Sequence, residues 1–339
     1  MSKAIVTDII SGFHLIGVVN FCLNQGDIRE IDAHLIGNMN NEYLLPEGLI
    51  LTKRLKINII HSHTNTTPSI FDFLKHTWKR LTNRTKAELP VTWLGHHSYF
   101  KPSLVNYIDI KNSNVRCFAF EEGIGSYGGL LHHIKASYRE KKTFPILKYL
   151  ARSILRSSIW IDKYSRTLNS SQGTNRTLSN AVSEISESTW ANGTPVYTVS
   201  QQISSNAIIL FTSPFVELGI LSKQQYRVLL AEVNNYVRQN NRSLVIKPHP
   251  LERSIRDIAP TEVEIIDSKV PAEVLIKKLE PQNVAGFNSG ALITASLTLK
   301  KKSINLSHKL PAEAIKKIKL DPSLEKLFKD FVTTSIYDN

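Results

Sequence analysis

The sequence predicts an α/β protein built as two successive halves, each a parallel sheet covered by helices. Three observations carry this expectation. Short apolar runs alternate with stretches of helical periodicity from Ala4 to Phe120, and the same rhythm returns from Ala207 to Leu299. Between them, Thr167 to Ser205 shifts to Ser, Thr, Asn and Gly, the chemistry of a linker. Two of the apolar runs also stop abruptly at clusters of polar residues, Glu121-Glu122-Gly123 and Lys247-Pro248-His249-Pro250. Open α/β sheets present their ligand edge in this way, at the carboxyl ends of their strands. A chain of 339 residues has room for two domains, and the composition shift divides it into 1–200 and 201–339.

The first half opens with a strand over Ala4–Ile10. Ser11 is the expected N-cap of a helix from Phe13 to Leu23, which stops at Asn24-Gln25-Gly26. Further strands are expected over Ile28–Gly37, Ile57–His61, Val91–Gly95 and Val115–Phe120, with a helix over Phe71–Leu81. Within the polar bridge, Val182–Trp190 has room for one helix. The second half reads as strand Ala207–Phe211, helix Leu221–Arg238, strands Leu244–Ile246 and Glu264–Ile266, helix Ala272–Leu279, strand Val284–Phe287 and helix Ala291–Leu299. Two last helices, Pro311–Ile318 and Leu324–Val332, are placed to fold back across the domains.

Composition narrows the class. A hydrophobic fraction of 42% supports ordinary globular cores, whereas a net charge of +13 points to an anionic partner: nucleic acid, an acidic membrane leaflet or a phosphorylated substrate. No zinc-finger spacing, RNP-type aromatic motif or recognition-helix pattern supports nucleic acid. Much of the charge lies between His132 and Arg166. There Lys135, Arg139, Lys141, Lys142, Lys148, Arg152 and Arg156 interleave with apolar residues at roughly helical spacing. Such a helix either faces a core with a solvated positive side or lies on an anionic membrane surface. Cys22 and Cys117, both in apolar stretches, read as reduced core residues. With no signal-peptide pattern at the N-terminus and no apolar run long enough to span a bilayer, the expected location is cytoplasmic, with peripheral contact at the inner face of the membrane.

The candidate site residues follow from chemistry at strand ends. Acids are rarely left inside unpaired, so Glu121 and Glu122 at the end of a buried run sit at a mouth or have a partner. On a strand of period two only one of these neighbours faces any given side, and the sequence leaves open which. Gly123 permits a sharp turn after them, and Gly125 follows closely. Downstream, prolines on both sides fix the backbone of His249, and Lys247 adds charge or caps the strand. Asn288-Ser289-Gly290 precedes a helix, so Ser289 is an N-cap able to present its hydroxyl with the first N–H groups to an anion. Thr212 and Ser213 end the first strand of the second half. Glu273 is a first-turn acid favoured by the helix dipole. The histidine pairs His61/His63, His96-His97 and His132-His133 lack a cysteine or carboxylate partner at metal-ligand spacing. Gly123-Ile124-Gly125 does not extend to a dinucleotide fingerprint, and no Walker-type loop or nucleophile elbow is present.

Glu121-Glu122-Gly123, His249-Pro250 and Asn288-Ser289-Gly290, in that order, resemble the acid-acid-glycine, HP and serine motifs of bacterial sialyltransferases. These include the capsular polysialyltransferases and the enzymes acting on lipooligosaccharide or O-antigen. The resemblance covers Val115 to Leu299; the serine motif has one serine where some families carry two, and the chain before Val115 matches no motif of the set. It implies a GT-B fold, two Rossmann-like domains facing a cleft, with an acceptor-binding first domain that supplies the base and a second domain that binds the CMP-sugar. It also implies an inverting transfer from CMP-sialic acid without metal or other cofactor. The acceptor would be a galactose- or N-acetylgalactosamine-type sugar, or a growing sialic acid chain, in a surface glycan; the positive charge of the chain would suit an acceptor carried on a pyrophosphate lipid at the inner leaflet. The base would be Glu121 or Glu122, with Gly123 and Gly125 in the acceptor loop. His249, Pro250, Lys247, Asn288, Ser289, Thr212 and Ser213 would surround the CMP phosphate, and Glu273 would grip the ribose. Two alternatives remain: a related transferase using CMP-Kdo, and a non-catalytic glycan- or nucleic-acid-binding protein working through its basic face.

Overall fold

The structure is a computed structural model that describes residues 2–9, 11–37, 42–62, 78, 91–96, 116–120, 163–165, 174–200, 202–266, 269–318 and 322–334. The chain divides into two compact units, Met1–Tyr197 and Thr198–Asn339.

Unit 1 is built on an eight-stranded sheet. Its strands are β1 (Ser2–Ile9), β2 (Ile28–Leu35), β3 (Gly48–Leu51), β4 (Lys56–His61), β5 (Val91–His96), β6 (Arg116–Phe120), β7 (Lys163–Ser165) and β8 (Thr189–Trp190). They lie in the order β7-β6-β5-β1-β2-β4-β3-β8. All neighbours run parallel except at one edge, where β3 is antiparallel to both β4 and β8. Helix α1 (Gly12–Gln25) follows β1. The Ser11 hydroxyl accepts from the His14 N–H at 3.3 Å to cap its start, and Gly26, at φ 72°, closes its end with an N–H donated to the Cys22 carbonyl. Both boundaries are those expected from Ser11 and Gly26. Residues Gly12 and His14 through Cys22 are buried, as befits a helix packed on β1 and β2 and covered by helix α2 (Thr174–Ser186).

Several expectations for this half need correction. The bridge is no linker over its whole length: α2 begins at Thr174, eight residues before the helix expected over Val182–Trp190, and ends at Ser186. Leu178, Ala181, Val182 and Ile185 are buried at helical spacing, so packing overrides the poor intrinsic propensity of the surrounding Ser, Thr and Asn. Thr189 and Trp190 form the edge strand β8 instead of a helical end. Strand β3 was not anticipated, since Gly48–Leu51 shows no alternation and its place is set by pairing with β4 and β8. Strand β7 lies within the stretch read as basic helix. The expected helix over Phe71–Leu81 and the rest of the basic stretch lie outside the described residues, apart from Trp78.

Unit 2 carries a five-stranded, wholly parallel sheet: β9 (Ala207–Phe211), β10 (Ser243–Lys247), β11 (Glu264–Ile265), β12 (Asn283–Gly286) and β13 (Lys302–Asn305), ordered β11-β10-β9-β12-β13. Every residue of β9 and β12 is buried, as in central strands covered on both faces. Helices α3 (Lys223–Gln239), α4 (Ile255–Ile258), α5 (Ala272–Leu279), α6 (Gly290–Leu299), α7 (Ala312–Lys317) and α8 (Pro322–Phe331) alternate with or follow the strands. Helix α3 starts in a capping box, Ser222 and Gln225 each bonding the other's backbone N–H, and turns Tyr226, Leu229, Leu230, Val233 and Val237 into the core. Helix α8 packs on α6 of the same unit. Strand β13 was not expected, because Lys300-Lys301-Lys302 reads as loop until Ile304 is seen buried beside Ala285.

Candidate active site

In unit 2 the strand order places the first strand, β9, at the centre, with β10 on one side and β12 on the other. The chain therefore leaves β9 and β12 in connections of opposite sense, and their carboxyl ends flank a topological switch point. The register puts Phe211 beside both Lys247 and Gly286. Thr212-Ser213, Pro248-His249-Pro250 and Phe287-Asn288-Ser289 consequently emerge from three adjacent strands at one edge of the sheet. Sequence-expected residues separated by up to 77 positions (212 to 289) are thus brought to one side of one unit.

The His249 loop is held firmly. Its two prolines contribute no N–H, and both backbone groups of His249 are bonded: the His249 N–H donates to Glu252 Oε2 at 2.7 Å, and the Glu252 N–H donates back to the His249 carbonyl at 2.9 Å. The Leu251 N–H donates to His249 Nδ1 at 3.2 Å, which assigns the neutral ring's proton to Nε2. The imidazole pKa lies below its ordinary value, because burial of its inner side and the neighbouring Lys247 ammonium disfavour the charged form against the opposing pull of Glu217. At neutral pH His249 is accordingly a neutral ring with an Nε2–H to donate. Lys247 is buried, and its Nζ lies 3.3 Å from the Pro248 carbonyl.

Glu252 was not among the expected site residues, yet it is the hub of this edge. Thr212 Oγ1 and the His249 N–H both donate to its Oε2, and Tyr226 OH donates to its Oε1 at 3.0 Å. Burial pushes its carboxyl up to about 7, against these bonds and with the charge of Glu217 adding to the shift. Thr212 is buried, with its hydroxyl turned to Glu252 and the Lys247 carbonyl, while Ser213 offers its carbonyl to Tyr226 OH at 3.2 Å. Glu217 secures the far side of the loop: its Oε1 accepts from the Arg253 N–H at 2.9 Å and from both N–H and hydroxyl of Ser254. Burial opposes charge on Glu217, but those donors outweigh it and hold the carboxyl below its ordinary value. The sequence signal for both acids was faint, a Glu two residues past His-Pro and another past Ser-Pro.

At the third strand end, Asn288 takes a left-handed conformation, φ 53°, clasped by Asn305. The Asn288 N–H donates to Asn305 Oδ1 at 3.2 Å, and Asn305 Nδ2 donates to Asn288 Oδ1 at 2.8 Å. This turn delivers Ser289 to the N-cap position of α6, where its side chain makes no capping bond. A Cβ on Gly286 would lie 3.0 Å from the Phe211 carbonyl and 3.4 Å from Ser289 Cβ, so the absence of a side chain there lets the turn sit close to β9. Glu273, in the first turn of α5, is buried and accepts from Thr294 Oγ1 of α6 at 3.0 Å; burial raises its carboxyl pKa despite that bond.

In unit 1, β6 ends at Phe120. Glu121, Glu122, Gly123 and Gly125 lie outside the described residues. Among the described residues no group of three His, Cys, Asp or Glu side chains is clustered to hold a metal ion, and no helix is long and apolar enough to cross a membrane.

Solved structures similar to the chain include the GT-B domain of a sialyltransferase from Photobacterium damselae, at 14% identity and a TM-score of 0.42, covering 97% of this chain and 96% of that one. A UDP-GlcNAc 2-epimerase from Methanocaldococcus jannaschii is 10% identical at a TM-score of 0.47, covering 100% and 94%. The E. coli ADP-heptose lipopolysaccharide heptosyltransferase II is 10% identical at 0.39, covering 90% and 84%. No curated protein sequence matches the chain. The family profile described as alpha-2,8-polysialyltransferase (POLYST) matches residues 51–308, about three quarters of the chain and the whole of the edge formed by Thr212, His249 and Ser289, and the chain belongs to that family.

Proposed function

We propose that the protein is an inverting sialyltransferase that moves sialic acid from CMP-sialic acid onto the terminal residue of a growing α-2,8-linked sialic acid chain. The observation that carries the reading is the convergence of Thr212-Ser213, Lys247-Pro248-His249-Pro250 and Asn288-Ser289 on the carboxyl edge of the unit-2 sheet, inside the region that matches the polysialyltransferase family. In this reading the donor's phosphate lies at that edge. His249 donates its Nε2–H to a phosphate oxygen, and the Ser289 hydroxyl and the first N–H groups of α6 supply further donors. Glu273 belongs with the ribose.

The transfer is a single displacement. Glu121 or Glu122 takes the proton of the acceptor hydroxyl, and that oxygen forms a bond to the anomeric carbon. The bond from the anomeric carbon to the phosphate oxygen breaks, and its electron pair leaves with CMP. Because the donor is β-linked, one displacement yields the α-linkage. No metal is assigned a part, since fixed hydrogen bonds serve the leaving phosphate. The acceptor chain is carried on a lipid at the inner face of the cytoplasmic membrane.

The test is release of CMP from CMP-sialic acid with and without an oligosialic acid acceptor. Release should depend on the acceptor and be matched by chain lengthening, and His249→Ala should lower kcat by about 100-fold or more. Turnover of CMP-Kdo but not of CMP-sialic acid would replace the donor. Turnover with galactose-terminated but not sialylated acceptors would replace the acceptor. Neither binding nor turnover of any CMP-sugar would remove the enzyme reading altogether.

A further inference from the structure

Resting on the reading that His249 engages the donor phosphate, we infer that Glu252 is the positioning residue of the site: its side chain, tethered to Tyr226 and Thr212, sets the backbone of His249 and through it the place of the imidazole Nε2–H. Glu252 grips His249 from both sides. Its Oε2 takes the His249 N–H at 2.7 Å, and its own N–H holds the His249 carbonyl at 2.9 Å. With prolines at 248 and 250, His249 carries the sole backbone N–H between Lys247 and Leu251, and that donor goes to Glu252. The carboxylate is anchored in the core at both oxygens: Oε1 by Tyr226, wholly buried on α3, and Oε2, which also takes the His249 N–H, by Thr212, directly after the central strand β9. Three elements distant in sequence, β9, α3 and the loop after β10, are therefore locked through one side chain.

A carboxylate beside an anion-binding edge disfavours the anion by charge repulsion, so charge complementarity does not account for it. Geometry does. Hydrogen bonds from a backbone N–H and two hydroxyls to a carboxylate are charge-assisted and directional, and a misplacement of about 1 Å in a catalytic group costs on the order of 100-fold in rate. The amide of a glutamine reproduces the arrangement. Its oxygen accepts from the His249 N–H and Thr212, its nitrogen donates to Tyr226 oxygen, and the Tyr226 hydroxyl then donates to the Ser213 carbonyl already 3.2 Å away. Alanine loses all three side-chain bonds and keeps only the backbone N–H donated to the His249 carbonyl.

The experiment is a double-mutant cycle on the full chain, read as kcat and as KM for CMP-sialic acid. Glu252→Ala should lower kcat about 10- to 100-fold while KM for the donor changes less than about 3-fold, since the displaced imidazole matters most as charge develops on the leaving phosphate. Glu252→Gln should recover most of that turnover. In the His249→Ala background, Glu252→Ala should add less than about a further 3-fold, because its effect passes through the ring already removed. Losses that multiply across the two sites overturn the inference, as does a Glu252→Gln variant no better than Glu252→Ala. Should Glu252→Ala not fold, Tyr226→Phe removes the carboxylate's anchor while keeping the ring, and the same cycle is run with it. If His249→Ala alone turns over like wild type, the assignment of His249 falls and takes the inference with it. If His249→Ala is impaired and Glu252→Ala is not, only the inference falls.

Discussion

His249 and Glu252 illustrate what a single residue discloses in sequence and what it withholds. The place of His249 beside a strand end was legible, because an apolar run stops just before it and flanking prolines deny the chain a helix. Glu252 was not, although it stands three residues away. Its importance lies in partners 26 and 40 positions upstream, Tyr226 and Thr212, which become neighbours only when β9, α3 and β10 assemble. The same surroundings predict a pH signature. A carboxyl raised from its ordinary 4.5 to about 7 in the folded protein binds its proton more tightly there than in the unfolded chain. Its contribution to stability is therefore fully present below pH 4.5 and is lost as pH rises through about 7, by up to about 3 kcal/mol. Urea unfolding between about pH 5 and about pH 8 should show wild type losing stability relative to Glu252→Gln, with the gap opening toward the alkaline end. Parallel pH profiles for the two proteins would mean that Glu252 titrates in the ordinary carboxylate range.

Elements were legible where a cap or a buried run marks them and obscure where only a partner does. Ser11 and Gly26 bracket α1 by their own chemistry, and the all-apolar β9 needs no context. Strands β3, β8 and β13 are short and lack alternation, so pairing defines them. The first turns of helix α2 read as linker until the buried apolar residues Leu178, Ala181, Val182 and Ile185 are seen against α1. The edge of the unit-2 sheet depends on close approach between elements, and at Gly286 there is no room for a side chain without displacement. Replacing Gly286 by Ala sets a Cβ against the Phe211 carbonyl, a backbone atom unable to swing aside, and against Ser289. Overpacking of this kind costs about 1–3 kcal/mol. Thermal unfolding should register that loss, and the donor KM should rise more than it does for a surface substitution such as Val228→Ala on the outer face of α3. An unchanged donor KM in a folded Gly286→Ala protein would separate Ser289 from donor binding.

At the scale of the molecule, the two-sheet plan was readable from rhythm alone, and both sheets set their first strand between the second and a later one. The net charge of +13 also belongs to this scale. Long-range attraction between a basic protein and a polyanion is screened by salt, whereas hydrogen bonds at a built site are screened far less. The KM for an oligosialic acid acceptor should therefore climb from low to physiological salt, and climb more steeply as the acceptor lengthens, with the donor KM changing less. Equal salt dependence for short and long acceptors would detach the charge from acceptor binding. The edge of the unit-1 sheet bears on how the protein is made. Strand β3, residues 48–51, leaves its outer side to β8, residues 189–190, nearly 140 positions later in the chain. During synthesis the N-terminal strands accordingly wait, with Leu49, Ile50 and Leu51 at an unfinished border, until Trp190 has left the ribosome. For that interval the nascent chain carries an open hydrogen-bonding rim that a neighbouring nascent chain can occupy, so fast passage through the intervening segment favours a correctly closed sheet.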